Sequence, residues 1–490
     1  MSKQDRVKTS EDYVNALKKL KPNVITDRLL EKPYEDEDII KGMNVVSTCY
    51  NFAKSPEFNE LMTAESSLTG NKVNRYNYIP RTKDDLRKRI KMVHALARET
   101  VCAQRCVGGD ALWALHIGTH QLDKSNKGTT NYHERLKKYL EYVQENDIAP
   151  AGAVTDAKGD RSVSPADQEE KDTYVHIVKK TDEGIYVSGI KTPITMSIYA
   201  EELIVMPGAQ LSENDKSCAV SFAIQADAEG IERYALGAEI KTLDGEHAPT
   251  HGRKYLNKEG MIIFNNVFVP NDRIFLCEEH KYGAIYANLF AAMHRFSYLA
   301  CKPALYDIMT GAAMLISDFN GTKGEYFLSN TAEKIFQISK AAIMSRGMAK
   351  AAIEEAEVTS SGAILPDEVF TNMGKFMATD LFPNAVSILQ DMAGSLPVNL
   401  PYEKLLKDSK FNENVNKLFK RKKGITPEQH YKLNEFIRVM VASAEGGLLQ
   451  FGSKHGGGNK EAEKVAIYGN NLRHMFQCKK LVKDIVFKSE

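Results

Sequence analysis

Two residue pairs in this chain have the types and spacing to hold a metal. Cys102 and Cys106 lie four apart in V-C-A-Q-R-C-V, and His294 and Cys301 lie seven apart in M-H-R-F-S-Y-L-A-C-K. On a helix, a spacing of four puts two side chains about one turn apart on one face, and seven is close to two turns. Two such helices facing each other present three thiolates and one imidazole to one centre. That donor set suits zinc or an iron–sulfur cluster, and spacing alone leaves both open.

Further residues gather around these pairs in the sequence. Tyr298 and Lys302 follow His294 by four and eight residues, so in a helix they fall near its face. A lysine beside a cysteine ligand is costly unless it pairs with an anion or points into a cavity; otherwise it snorkels to the surface. Glu259 is placed at a turn before the strand-like segment GMIIFNNVF, where a solvated carboxylate is the plain reading. His455-Gly456-Gly457-Gly458 allows close backbone approach to a phosphate or a ring, or is simply a flexible loop. Gln390-Asp391-Met392-Ala393-Gly394 is equally ambiguous. The other cysteines, Cys49, Cys218, Cys277 and Cys478, read as small buried hydrophobes. Seven cysteines is an odd number, and no secretion signal precedes them, so a disulfide framework is not expected.

The elements that must position these residues follow from texture. The 490 residues carry 65 Lys plus Arg against 64 Asp plus Glu, so no bulk field draws the chain to nucleic acid or membrane. No run of eighteen apolar residues and no N-terminal apolar core occurs, which gives a cytoplasmic reading with no membrane span. The first third is helical in pattern. The run LRKRIKMVHALARETVCAQRCVGGDALWALHI reads as helix, with Thr82 or Asp84 as its cap and a break at Gly108-Gly109. Between about Pro150 and Pro270, short β-branched and aromatic segments separated by turn residues predict an antiparallel sheet or small barrel. From about Tyr282 onward, long segments with a broad apolar face predict a helix bundle.

Taken together, LMTAESSLTGNKVNR, DDLRKRIKM, QRCVGGDA, TNYHERLKKYLEYVQENDI, DAKGDRSVSPA, IFNNVFVPNDRIFLC and HRFSYLACK resemble the 4-hydroxybutyryl-CoA dehydratases of the flavin-dependent 4-hydroxyphenylacetate 3-monooxygenase family. The resemblance covers nearly the whole chain. It implies an α+β, acyl-CoA dehydrogenase-like fold: a helical N-terminal domain (1–149), an antiparallel β middle domain (150–277) and a C-terminal four-helix bundle (278–490). It implies FAD, a 4Fe-4S cluster on Cys102, Cys106, His294 and Cys301, and a homotetramer built as a dimer of dimers. Glu259, Tyr298, Lys302 and Gln104 fall on functional positions. Thr195, Asp160, Arg161, the segment with Gln390, Asp391 and Gly394, and His455 fall on flavin-site or neighbouring segments.

The implied reaction is dehydration of 4-hydroxybutyryl-CoA to crotonyl-CoA, with vinylacetyl-CoA delta-isomerase activity. In it His294 removes the α-proton, the flavin takes up reducing equivalents from the β-carbon, and cluster iron polarises the γ-hydroxyl. Tyr298, Lys302 and Glu259 position the substrate and relay protons. One departure stands out. Where the resemblance calls for a Glu three residues before the histidine of the HGxG segment, this chain has Gly452; Glu445 and Glu461 are nearby but out of that register. Gly452 therefore leaves room for γ-elimination of another group, or isomerisation alone, on another short acyl-CoA. The rival from another class is a flavin-dependent aromatic monooxygenase, which has no use for three cysteines and a histidine in register. A redox-sensing or structural metal protein would need none of the flavin segments.

Overall fold

The computed structural model describes residues 4–237, 249–322 and 329–487. Thr82 starts the Lys83–Thr100 helix through a capping box: its side chain accepts from the Asp85 backbone, and the Asp85 carboxylate accepts from the Thr82 backbone. The run continues as a second helix, Cys106–Ser125, but the break differs from the predicted one. It falls at Val101–Arg105, where Val101 (φ 68°) and Gln104 (φ 34°) leave the helical region. Cys102 therefore sits on a loop, and Cys106 opens the next helix. Gly108 and Gly109 lie inside that helix. A Cβ on Gly108 would stand 2.0 Å from the Pro150 carbonyl oxygen, and one on Gly109 would stand 2.5 Å from that of Tyr76. These glycines admit close backbone packing instead of ending a helix.

The sheet region holds two stacked sheets. One is five-stranded, in the order Val24–Ile25, Ile231–Leu236, Glu259–Pro270, Gly184–Thr195, His176–Lys180. The other is four-stranded, in the order Ile274–Cys277, Val220–Gln225, Glu202–Val205, Pro150–Ala153. Phe222 of one meets Phe264 of the other edge-on at 5.8 Å. The sequence predicts a wholly antiparallel sheet, and the structure corrects this. Val24–Ile25 runs parallel to Ile231–Leu236, and Pro150–Ala153 parallel to Glu202–Val205. Strands of two to four residues carry too little alternation to reveal their direction. The register that matters for the site pairs Glu259 with Thr195.

The 40-residue helix Lys281–Asn320 passes through the middle of the molecule. It packs against the Lys83–Thr100 and Cys106–Ser125 helices on one side and against Asn330–Glu354 and Glu368–Ala393 on the other. With Pro427–Val441 these last helices share a core of Leu305, Tyr306, Ile338, Phe382, Leu389, Ile437 and Met440. The long helix meets the length and hydropathy of a membrane span, but most of its apolar stretch is buried by these neighbours and it carries Arg295 and Lys302 inside the fold. Among the cysteines read as buried hydrophobes, Cys49 and Cys218 are buried, Cys277 is half-buried and Cys478 is exposed on the last helix, Lys460–Phe487.

Candidate active site

The N-terminal turn of the Cys106–Ser125 helix faces the middle of the long helix. Asp110, one turn after Cys106, is fully buried, and its Oδ2 lies 3.0 Å from Nδ1 of His294. Its Oδ1 accepts from Nη2 of Arg89 at 2.5 Å and from the Ser297 hydroxyl at 3.0 Å. A carboxylate so held accepts from the histidine, so Nδ1 is assigned the donor role and Nε2 is the nitrogen left facing a ligand. The sulfur of Cys106, a carboxylate oxygen of Asp110 and a ring nitrogen of His294 all lie within 4.8 Å of one another. The His294 side chain is 19% exposed, so one side of the ring is open to a ligand.

The other two cysteines stand outside that tight group but within reach of its charge. Burial, then the Cys301 charge, pushes the Cys102 thiol up to about 12. Burial, then Asp110, Cys102 and Cys301, pushes Cys106 well above its ordinary value. Burial also raises Cys301, while the Lys302 ammonium pulls it back. All three thiols stay raised although Lys302 acts on Cys102 and Cys301 and Arg89 acts on Cys106. A bound cation would reverse that sign and hold all three as thiolates.

Tyr298 and Lys302 are both in the site. The Tyr298 hydroxyl donates to the Ser453 carbonyl at 2.9 Å, tying the long helix to Ala444–His455. Lys302 does not snorkel; it is buried, with Nζ 5.0 Å from the Tyr298 ring centre and 4.9 Å from that of Phe382. The glycine run after His455 also reaches the site. The Gly457 carbonyl accepts from Nε of Arg295 at 2.7 Å, and a Cβ on Gly457 would stand 3.5 Å from Cδ2 of His294. The His455 side chain itself is exposed and leans on Phe451.

Two carboxyls lie nearby: the Glu259 charge is felt at Cys102, and the Glu445 charge at Glu259. The Thr195 hydroxyl sits 3.0 Å from both oxygens of Glu259. Glu259 is the first residue of its strand and is pushed up to about 7, chiefly by desolvation and then by the Glu445 carboxylate, with Thr195 opposing. Glu445 is also pushed up to about 7, by burial, with Asn257 and Lys258 opposing. A hydrogen-bond chain links this side to the loop between the two cysteines. Tyr199 Oη donates to Gln104 Oε1 at 2.6 Å, Gln104 Nε2 donates to Asn257 Oδ1 at 2.6 Å, and Asn257 Nδ2 donates to Glu445 Oε1.

Not every candidate converges here. Asp160 and Arg161 lie on an exposed loop, where Asp160 accepts from the Ser162 backbone at 2.8 Å. Gln390 donates to the Val441 carbonyl at 2.7 Å, Asp391 pairs with Lys334, and Gly394 (φ 69°) follows the end of its helix. Lys375, on the same helix, lies against Tyr298. Fifteen residues separate it from Gln390, about 22 Å along the axis. Sequence reasoning missed Arg89, Asp110, Tyr199, Asn257 and Ser297. For Asp110 the signal was present: it lies one helical turn after Cys106.

Residues 9–276 match the N-terminal model of the 4-hydroxyphenylacetate 3-hydroxylase family, and residues 285–486 match its C-terminal model. The chain is 33% identical over 475 residues to the 4-hydroxybutyryl-CoA dehydratase/vinylacetyl-CoA-Delta-isomerase of Clostridium aminobutyricum, covering 94% of this chain and 95% of that one. It is 24% identical over 404 residues to the 4-hydroxyphenylacetate 3-monooxygenase oxygenase component of Thermus thermophilus, covering 81% of each. An oxygen-tolerant archaeal 4-hydroxybutyryl-CoA dehydratase from N. maritimus superposes with a TM-score of 0.91 at 30% identity, over 98% of this chain and 95% of that one. The oxygenase component of a 4-hydroxyphenylacetate 3-monooxygenase complexed with FAD shares the fold, with a TM-score of 0.87 at 20% identity over 99% of this chain and all of that one. With both family models matched in order along nearly its whole length, the chain belongs to the 4-hydroxyphenylacetate 3-hydroxylase family.

Proposed function

We propose that this chain is a hydro-lyase that converts 4-hydroxybutyryl-CoA to crotonyl-CoA and also isomerises vinylacetyl-CoA. The observation that carries this reading is the His294–Asp110 pair beside three cysteine thiols, in a chain 33% identical to an enzyme named for both reactions. A phenol monooxygenase needs a flavin but gives these sulfurs no task.

The donor set fits an iron–sulfur cluster. Cys102, Cys106 and Cys301 are raised thiols, one buried and two half-buried, spread wider than the tight group around His294, which favours a polynuclear centre over a single zinc. For FAD, Arg161 is an exposed cation on a loop whose preceding residues Lys158 and Gly159 have positive φ, a setting suited to a pyrophosphate. Thr195 offers a hydroxyl near the site. When bound, the flavin supplies electron exchange at the β-carbon and the cluster a Lewis acid for the γ-hydroxyl. The chain's own residues supply the rest. His294, its Nδ1–H held by Asp110, would take the α-proton at Nε2 when that nitrogen is released from ligation. Lys302 brings a buried positive charge toward the thioester or its enolate oxygen. Glu259, held near neutrality, exchanges a proton at the far end of the acyl chain.

The same reading divides the chain into an acyl-CoA dehydrogenase-like arrangement with domains at 1–149, 150–277 and 278–490. The sheet region lying between helical segments supports this, although Val24–Ile25 crosses to join the sheet. A homotetramer is supported by the apolar side chains on the last helix, where Val465, Phe476, Ile485 and Phe487 are exposed. A cytoplasmic setting suits seven unpaired thiols.

Anaerobic purification followed by iron, sulfide and flavin analysis, with assays on both thioesters, tests the reading. Iron and sulfide in equal amounts, bound FAD and both activities are expected. Protein without iron would sink the cluster, and isomerisation without dehydration would reduce the function to that of an isomerase.

A further inference from the structure

We propose that Glu445 is a catalytic acid of the dehydration, giving its proton from Oε2 to the departing hydroxyl while Glu259 shares the site. This rests on the reading above and adds to it the residue that handles the leaving group.

Glu445 is 4% exposed in the first turn of the Ala444–His455 helix. One oxygen is committed: Oε1 accepts from Asn257. The other, Oε2, is buried and has no hydrogen-bond partner among the described residues. A buried carboxyl left half-satisfied is expensive for stability, and such groups persist where they serve a site. Its orientation is set from the site outward. Tyr199 holds Gln104, Gln104 holds Asn257, and Asn257 holds Glu445, so a carboxyl on the last third of the chain is aimed by the loop that carries Cys102. The Glu445 charge is felt at Glu259. Among the described residues the other charge bearing on it is Lys258, whose Nζ is paired with Asp38 at 3.5 Å.

The helix itself adds a second argument. Glu445 and Gly452 are seven residues apart and share a face of that helix. Gly452 contributes no side chain, and a Cβ there would meet nothing within 4 Å. The open face at Gly452 thus has a carboxyl two turns away, at Glu445.

The bookkeeping closes without an outside oxidant or reductant. The substrate loses one hydrogen from each of the α- and β-carbons. The carbon–oxygen bond at the γ-carbon breaks with its electron pair going to oxygen, and the proton from Glu445 completes water. Of the two hydrogens lost, one restores the carboxyl and the other ends on the γ-carbon as the methyl group forms. Isomerisation of vinylacetyl-CoA breaks no carbon–oxygen bond, so it does not need this proton.

The test is Glu445→Gln, purified anaerobically with its cofactors and assayed on both thioesters. The amide keeps the acceptor for Asn257 and removes the acid. The expected result is a fall in kcat for dehydration of at least about 100-fold, with isomerisation reduced by less than about 10-fold and iron and flavin contents unchanged. Glu445→Asp should recover part of the dehydration. Of the infrared bands of protonated carboxyls present in the wild type below pH 7, the Glu445 component should be lost in Glu445→Gln while that of Glu259 remains. Dehydration within about three-fold of wild type overturns the proposal, and so does an equal loss of both activities. Wild-type protein that turns over neither thioester refutes the activity reading instead, a result visible before any variant is made.

Discussion

The sulfur side of the site and the carboxyl side are joined by one loop, Val101–Arg105, yet they are built on opposite terms. On the sulfur side every oxygen of Asp110 is engaged, by Arg89, Ser297 and His294, and the histidine tautomer is fixed. On the carboxyl side Glu445 is buried and Glu259 half-buried near one another, Lys258 is the cation that acts on Glu445 and is itself paired with Asp38, and one oxygen of Glu445 has no hydrogen-bond partner among the described residues. A satisfied network holds a base in one orientation, while an unsatisfied one holds a proton ready to leave. The difference separates geometry from proton supply, and each half can be broken alone.

The largest effect is expected from removing the base. His294→Gln should lower kcat for both thioesters by about 10²- to 10⁴-fold, since both reactions begin with loss of the α-proton. Comparing the two rates in one preparation checks it; survival of isomerisation would remove His294 from that role. Next comes the support behind the base. Asp110→Asn leaves Arg89, fully buried between the Tyr76 and Trp113 rings, without its carboxylate. Breaking one partner of a buried ion pair costs about 3–5 kcal/mol, so denaturant unfolding should show a large loss. Iron retention should fall by about 10- to 100-fold, as for other outer groups that orient a ligand.

The carboxyl side predicts a smaller effect with a definite pH direction. Burial raises Glu445 from 4.5 to about 7. The folded state therefore binds the proton more tightly than the unfolded chain, and stability present below pH 4.5 is lost as pH rises through 7. The shift corresponds to at most about 3 kcal/mol. Glu445→Gln carries no such penalty, so its melting temperature should be flatter with pH and exceed wild type above pH 8. A parallel pair of pH curves would show that Glu445 is not held protonated.

These effects also mark how far the sequence could be read. His294 and Cys301 were legible because both ride one long helix and their spacing survives intact. Cys102 and Cys106 were legible as a pair but not as geometry. The positive φ of Val101 and Gln104 moved the break forward, and the glycines that suggested a break serve packing against Pro150 and Tyr76 instead. Glu259 and Glu445 could not be distinguished from surface carboxylates, because burial is set by residues far away in the chain. The link from Gln104 through Asn257 to Glu445 spans more than 300 positions of sequence and has no local signature. Asp160, Arg161 and the Gln390–Gly394 segment were suggested by resemblance alone, and within one chain they remain apart from the sulfurs.

The smallest effect distinguishes two glycines that look alike in sequence. Gly457 has φ +74°, where an L side chain costs about 1–2 kcal/mol. An added Cβ would also press on Cγ of Arg295 at 3.2 Å, and Arg295 is held by the Gly457 carbonyl and by Asn372, so it has little freedom to yield. Its contact with His294 at 3.5 Å is ordinary, so the base itself need not move. Gly457→Ala should therefore lower stability by about 1–2 kcal/mol while leaving kcat for isomerisation nearly unchanged. Gly452 lies within the Ala444–His455 helix with nothing within 4 Å of an added Cβ. There the same substitution should raise stability by about 0.5–1 kcal/mol through helix propensity. Opposite signs in thermal melts of the two variants would separate the glycine that shapes the sulfur side from the one that leaves the helix face open; equal signs would show that both do no more than tolerate their neighbours.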